Sequence, residues 1–499
     1  MIYNFNLGIG WASSGVEYAQ SYRANIFRRI GKDAKFIFTD MFARDNLEEM
    51  TDNLGFDDRS VIWLYMFFSD IGIAPCSRTL NDIEEMIGDR KYERKSEGNI
   101  EKYIFEGRGN FFCVYMSKVT KGAVSRVEMV SDGCLIRKDF FSDCRMFTEY
   151  YAPLDGKAHL YKRTFYNKDQ SIAYDEIIDG DDVFYRFKDR IIYSKEELVG
   201  YMVSKMNLTE NDIVILDRTT GIGQAVLENA GRAKVGIVIH ADHFSEGGTD
   251  EDNILWNNYY EYSFANHERI DFYVTATDEQ NKILKEQFKK YMGIEKNIVT
   301  IPVGSIDELI FPKEERRPNS FITASRLASE KHIDRIIEGI CEAKKTVKDV
   351  SLDIYGEGVE REELSKLIKE KGAESYIRLM GQQDLKDVYK KYFAYISGST
   401  SEGFGLTYLE ALGSGLPIIG FDARYGIQCF VDEGENGYRL STDENISPAD
   451  RTKMIADAII KLCKNEKIDA FRRHSYKIAT KYLTKEVEKK WQNLTEQII

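Results

Sequence analysis

Ser397-Gly-Ser-Thr-Ser-Glu-Gly-Phe-Gly-Leu-Thr-Tyr-Leu-Glu-Ala-Leu-Gly-Ser-Gly-Leu416 is the stretch from which the rest of the chain can be read. An apolar strand-like run at 393–396 leads into it, small polar residues follow, Gly403 and Gly405 bracket a tight turn, and 406–412 has the spacing of a helix. A glycine turn at a helix start leaves backbone N–H groups bare at the positive end of the helix dipole, which suits an anion such as a diphosphate. Glu402 stands before that turn and Glu410 about a turn of helix beyond it. A molecule with a diphosphate in its middle can offer hydroxyls to both carboxylates, from a sugar on one side and a ribose on the other. The spacing points to a nucleotide sugar, with Gly403, Phe404, Gly405, Leu406 and Thr407 lining its middle. Two glutamates eight apart would carry little alone, and the bland alternative is a surface turn before an amphipathic helix.

Outward from this stretch the chain alternates strands and helices. A strand at 320–325 runs into Ser325-Arg-Leu-Ala-Ser-Glu-Lys331, which sets Arg326 and Lys331 five apart, two cations able to neutralise a diphosphate. Helices are predicted at 332–347, 358–371, 385–392, 447–462, 467–483 and 485–499, and strands at 351–355 and 377–380. Gly381-Gln-Gln-Asp384-Leu385 follows the last of these strands. At the other end, a strand at 3–7, the loop Gly8-Ile-Gly-Trp-Ala-Ser-Ser-Gly15 and a helix at 16–30 open a Rossmann-like unit. The glycines do not match Gly-x-Gly-x-x-Gly, so the dinucleotide fingerprint is absent, but Gly15, Val16, Glu17 and Tyr18 are still placed to approach phosphates. Alternation resumes at 195 and runs to a linker ending near 317; the strand 235–240 ends in His240, at the edge where ligands enter α/β sheets.

Between these halves the texture changes. Eight short runs, 102–106, 111–118, 125–130, 133–140, 144–151, 158–166, 171–178 and 183–187, alternate aromatic, β-branched and charged residues between Gly- and Asp-rich turns, the pattern of an antiparallel meander. Asp179-Gly-Asp181 lies between two of them and reads as a turn rather than a metal site. The expected class is α/β, with domains at 1–72 plus 194–317, at 73–193 (the sheet), at 318–484, and a final helix at 485–499.

Composition sets limits. At 499 residues several domains are expected, and a net charge of −13 disfavours nucleic acid as a partner. Seven cysteines, an odd number without a Cys-x-x-Cys pair, fit reduced thiols in the cytoplasm. The opening Met1-Ile-Tyr-Asn-Phe-Asn has no basic, apolar leader and no apolar run reaches about 18 residues, so neither export nor a membrane span is expected, while peripheral attachment stays open.

The run Glu402-Gly-Phe-Gly-Leu-Thr-Tyr-Leu-Glu410-Ala-Leu-Gly resembles the Glu-x7-Glu motif of retaining glycosyltransferases of the GT-B architecture, especially family 4. That resemblance implies two facing Rossmann-like domains, an Arg326–Lys331 pair that stabilises the leaving nucleotide diphosphate without a metal, His240 on the donor sugar, and Gly381, Asp384 and Leu385 at the base. Catalysis would rest on His240, Glu402, Arg326 and Lys331, and the last helix would return to the first domain. Across the whole chain, Asn4-Phe-Asn-Leu-Gly-Ile-Gly-Trp-Ala-Ser-Ser-Gly-Val-Glu-Tyr-Ala19, the β-rich insertion and Ile239-His-Ala-Asp-His-Phe-Ser245 resemble the catalytic subunits of bacterial glycosyltransferase pairs that begin O-glycosylation of serine-rich repeat adhesins before accessory Sec export. Such enzymes transfer N-acetylglucosamine from UDP-GlcNAc to Ser or Thr beside a sister subunit that lacks the glutamate pair. Two other readings compete: the same chemistry on a lipid or glycan acceptor at a membrane surface, for which 282–296 offers a modest basic patch, and an inert binding subunit, disfavoured by the intact charges. The insertion, with its edge strands and many aromatics, is expected to dock the sister subunit and hold a Ser-rich acceptor.

Overall fold

The computed structural model describes residues 1–9, 15–107, 109–443 and 445–498. They divide into two compact units, one of Met1–Val238, Asn258–Asp271 and Ile498, the other of Ile239–Asn257 and Phe272–Gln497.

In the second unit six parallel strands stand in the order Ile377–Gly381, Ser351–Tyr355, Ser320–Ala324, Ala394–Ile396, Ile418–Phe421, Gly437–Leu440. Numbered along the chain this order is 3-2-1-4-5-6, so the direction of winding reverses between Ser320–Ala324 and Ala394–Ile396, and the loops after those two strands part to leave a crevice. One carries Arg326 and Lys331, the other Glu402. Helix Ile333–Ala343 buries Ile333, Ile336, Ile337, Ile340 and Ala343, the apolar stripe of an amphipathic helix. They pack with Ile455, Ile459 and Leu462 of Pro448–Cys463, and each such isoleucine adds about 1.5–3 kcal/mol. A parallel pair, Phe272–Thr275 with Ile298–Thr300, also falls in this unit.

The first unit holds parallel strands in the order Lys234–Ile239, Ile213–Leu216, Ile2–Asn6, Ala34–Phe38, Val61–Trp63. Its other sheet is a ten-stranded antiparallel meander, each strand paired with its sequence neighbour from Tyr92–Glu97 to Ile191–Ile192. All eight expected runs are strands, and the Asp179-Gly-Asp181 segment forms the turn of a hairpin in which Asp179 pairs with Asp182. Two strands escape the pattern, most tellingly Tyr92–Glu97, whose six residues are all exposed. A charged edge with no buried face has no period to read.

One face of the meander carries Phe140, Phe147, Phe165 and Tyr174 in register on four successive strands, stacked at 4.3, 5.5 and 4.5 Å. Trp63 and Tyr65, at the end of the parallel sheet's outer strand, close on this row at 5.9 and 5.8 Å. The meander is therefore fastened to the parallel sheet by aromatic burial, worth about 0.5–1.5 kcal/mol per ring pair beyond area. A charged row lies beside it, Glu128–Lys138 at 3.2 Å and Arg163 at 2.9 Å from Glu149 and 2.7 Å from Glu176.

The predicted helix at 385–392 is absent. Turns replace it and a single 3-10 turn, Tyr389–Lys391, remains. Asp384 accepts from the Lys386 N–H at 2.9 Å, an Asx turn that competes with helix. Tyr389 and Tyr392 are drawn inward to Glu410 and Asp353.

Candidate functional site

The loop after Ser320–Ala324 is clamped by its neighbour: Ser325 N–H donates to Tyr355 O at 3.1 Å and Leu327 N–H to Glu357 O at 2.9 Å. It swings Lys331 toward the loop after Ala394–Ile396, and Gly398 permits the approach, since a Cβ there would stand 2.6 Å from the His332 carbonyl. The result is an ion pair, Lys331 Nζ to Glu402 Oε2 at 2.7 Å, with side chains 18% and 26% exposed. Glu402 is itself pinned by backbone bonds, its N–H to Arg424 O at 3.2 Å and its carbonyl to Tyr425 N–H at 2.8 Å and Gly426 N–H at 3.0 Å. Arg326 differs from Lys331: its guanidinium is exposed and meets Glu330 at 3.2 Å. The two cations thus differ, Lys331 part-buried on Glu402 and Arg326 exposed on Glu330.

Helix Leu406–Gly413 starts at Gly405, whose φ of 87° suits glycine, and no side chain caps it. Its first N–H groups are open to an anion. Phe404 is core, 5.1 Å from the Phe430 ring. Thr407 Oγ1 lies 2.8 Å from the Tyr395 hydroxyl, so Gly403, Phe404, Gly405, Leu406 and Thr407 present mainly backbone. Beyond them Glu410 accepts from the Tyr389 hydroxyl at 3.0 Å. Burial pushes its carboxyl up to about 7, with the Tyr389 hydrogen bond opposing and Asp384 adding to the rise.

His240 ends its strand half-buried, its carbonyl only 2.6 Å from where a Cβ on Gly403 would stand. His243 is fully buried, with Nε2 2.8 Å from Gln287 Oε1 and Nδ1 3.3 Å from the Tyr425 hydroxyl. Burial lowers it to about 4, so it is neutral at physiological pH and serves packing.

In the first unit, Gly10 to Ser14 of the glycine loop lie outside the described residues. Gly15 begins a helix, and Val16 and Tyr18 reach its surface. Glu17 is buried, its carboxylate 3.3 Å from Asn6 Nδ2 and 3.6 Å from the Arg218 guanidinium. Glu17 is thus held inward by the protein's own groups. Gln20 and Arg23 continue this network to Asp217, residues that no motif singled out; polar Asn4 and Asn6 in a buried strand were the available signal.

The arrangement has relatives. Residues 93–189 match the family described as GtfA extended beta-sheet domain and residues 305–481 match Glycosyl transferases group 1. The chain is 48% identical, over 100% of its length and 98% of the relative's, to the UDP-N-acetylglucosamine–peptide N-acetylglucosaminyltransferase GtfA subunit of Streptococcus gordonii. It is similar to the crystal structure of the pneumococcal O-GlcNAc transferase GtfA in complex with UDP and GlcNAc, at 47% identity and a TM-score of 0.95 covering 100% and 98% of the two chains. A GtfA/B complex structure matches at 48% identity, a TM-score of 0.94 and 100% and 99% coverage.

With Glu410 on the ribose, as the sequence leads one to expect, nucleotide binding would depend on pH. Ribose hydroxyls donate more strongly to a carboxylate than to its protonated form, so the Kd for a UDP probe should fall as pH rises through about 7 and then level off. Calorimetric titrations across this range should show the step in the native chain and lose it in Glu410→Gln. A step that persists in the variant would place the titrating group elsewhere.

Proposed function

The chain belongs to the GtfA subunits of bacterial UDP-N-acetylglucosamine–peptide N-acetylglucosaminyltransferases, GT-B enzymes, and from that premise we propose how its residues perform a retaining transfer of N-acetylglucosamine from UDP-GlcNAc to Ser or Thr of a Ser/Thr-rich protein. The Lys331–Glu402 pair beside an uncapped helix start carries this reading. The diphosphate lies on the N–H groups after Gly405, with Lys331 and Arg326 drawn onto its oxygens. Glu410 takes the ribose, Gly381, Asp384 and Leu385 the base, and Glu402 and His240 the sugar. As the anomeric carbon parts from the UDP oxygen, Glu402 faces the positive character that develops there. The acceptor oxygen bonds to that carbon from the same face, and its proton passes to the departing phosphate oxygen.

Lys331, Arg326 and the helix start together supply the positive field that a divalent ion supplies elsewhere. No metal enters this scheme. With all four charged residues in place, an inert binding subunit is the weaker reading. Among the described residues no helix is long and apolar enough to cross a membrane, and we assign the chain to the cytoplasm, with contact at the membrane surface compatible. The test is mass spectrometry of a Ser/Thr-rich peptide incubated with UDP-GlcNAc, the chain and its sister subunit, with and without EDTA. Addition of N-acetylhexosamine in both is expected; no addition would sink the activity, and addition only without EDTA would sink the metal-free leaving-group account.

A sister subunit like that of the related GtfA/B complex is the partner, and the meander of 73–193 is its docking surface, supported by Leu154, Tyr161 and Ile172, exposed at 56%, 44% and 60%. Leu154→Asp with Tyr161→Asp should abolish copurification with the sister subunit at unchanged Tm. Retained copurification would leave the sheet as a stabilising layer on the first domain.

A further inference from the structure

Next to the donor residues the second unit holds a separate cleft of about 1120 Å³. Thr400 and Ser401, just before Glu402, and His332, just after Lys331, line it, whereas Glu402, Lys331, Arg326 and Glu410 do not. The cleft therefore adjoins the reaction centre without belonging to the nucleotide's site. It exceeds the roughly 300–1,000 Å³ typical of small-molecule pockets, leaving room for several residues of extended chain. Its charges are mixed, Arg335, Arg424 and Arg451 against Asp242, Glu246, Asp422 and Asp443. Arg424 pairs with Glu246, and Arg439 with Asp422 at 3.3 Å. Such a lining favours a neutral ligand rich in hydroxyls and amides over a polyanion.

Asp242 is the exception in this balanced lining. Its Oδ1 is buried yet accepts no hydrogen bond from the described residues, and an orphaned buried acceptor calls for a donor. The turn that bears it is rigid. Gln280 Nε2 donates to Ala241 O at 2.9 Å, Asn257 Nδ2 to Asp242 O at 3.0 Å and Asn257 N–H to His243 O at 2.9 Å. Behind it His243 is buried and stacks on Tyr425 with ring centroids 6.1 Å apart. Burial raises the Asp242 carboxyl, with the Tyr425 hydroxyl and Arg424 opposing. This carboxylate sits in a braced turn, meets the Tyr425 hydroxyl and belongs to a residue that lines the cleft, and its buried, unpartnered Oδ1 calls for a donor that the described residues do not supply.

We propose that this cleft seats the stretch of acceptor polypeptide flanking the reacting Ser or Thr, and that Asp242 Oδ1 accepts a hydrogen bond from a backbone N–H or neighbouring hydroxyl of that stretch. The inference rests on the protein O-glycosylation reading above. Asp242 thus positions the acceptor, while the reacting hydroxyl's own proton still leaves with the phosphate. A lipid acceptor would offer no such row of donors.

Steady-state kinetics on the chain together with its sister subunit, with a synthetic Ser/Thr-rich peptide as acceptor, test this. Asp242→Ala should raise the acceptor KM about tenfold or more, the scale of one hydrogen bond to a charged group, and leave the KM for UDP-GlcNAc within about twofold. Arg335→Ala, at a half-exposed residue that also lines the cleft, should raise the acceptor KM as well, and it serves should Asp242→Ala lower the Tm. Equal changes in both KM values would make Asp242 part of the donor site, and an unchanged acceptor KM in both variants would overturn the proposal. If the native pair glycosylates no peptide, the underlying activity fails instead, so the two failures are distinguishable.

Discussion

The 2.7 Å ion pair between Lys331 and Glu402 is the contact around which the second unit is arranged. Its partners come from loops after two strands that are adjacent in the sheet but about seventy residues apart in sequence, so it exists only because the sheet reverses its winding between them. Partly exposed, the pair has modest value for stability. Its worth is in chemistry. In the proposed scheme Lys331 keeps Glu402 neutralised until a diphosphate shares the lysine, and Glu402 then faces a developing positive charge. Gly398 and the backbone bonds from Arg424 to Gly426 hold that geometry, which makes preorganisation a property of the loops.

The same unit separates two kinds of half-buried acid. Glu410 is held near neutrality by burial and has a tyrosine for company, as suits a group that exchanges a tyrosine hydrogen bond for ribose hydroxyls. Asp242 lies on the other side of Glu402 in sequence context, in a turn braced by Gln280, Asn257 and His243. Buried polar groups are costly unless matched, and both acids are matched only in part by the protein's own atoms. In the proposed scheme ligands complete them.

Much of this was legible in the chain. The glutamate stretch located the crevice, the strand before Arg326 located its other wall, and eight alternating runs gave the meander. What was missed has physical reasons. Tyr92–Glu97 has no buried face, so its pairing leaves no mark on residue pattern. The 385–392 segment looks helical locally, but Tyr389 and Tyr392 are recruited by Glu410 and Asp353, and tertiary contacts override propensity. The inward turn of Glu17 toward Asn6 and Arg218 is likewise not visible in residue pattern. Each miss turns on contacts made after the chain has folded.

The central claim is that Glu402 faces the reacting carbon and Lys331 the leaving group. Single-turnover transfer by Glu402→Gln tests it most directly, since the substitution keeps shape and removes only the charge. A fall of at least about a hundredfold, with UDP still bound, is the result this account predicts; transfer at the native rate would contradict it.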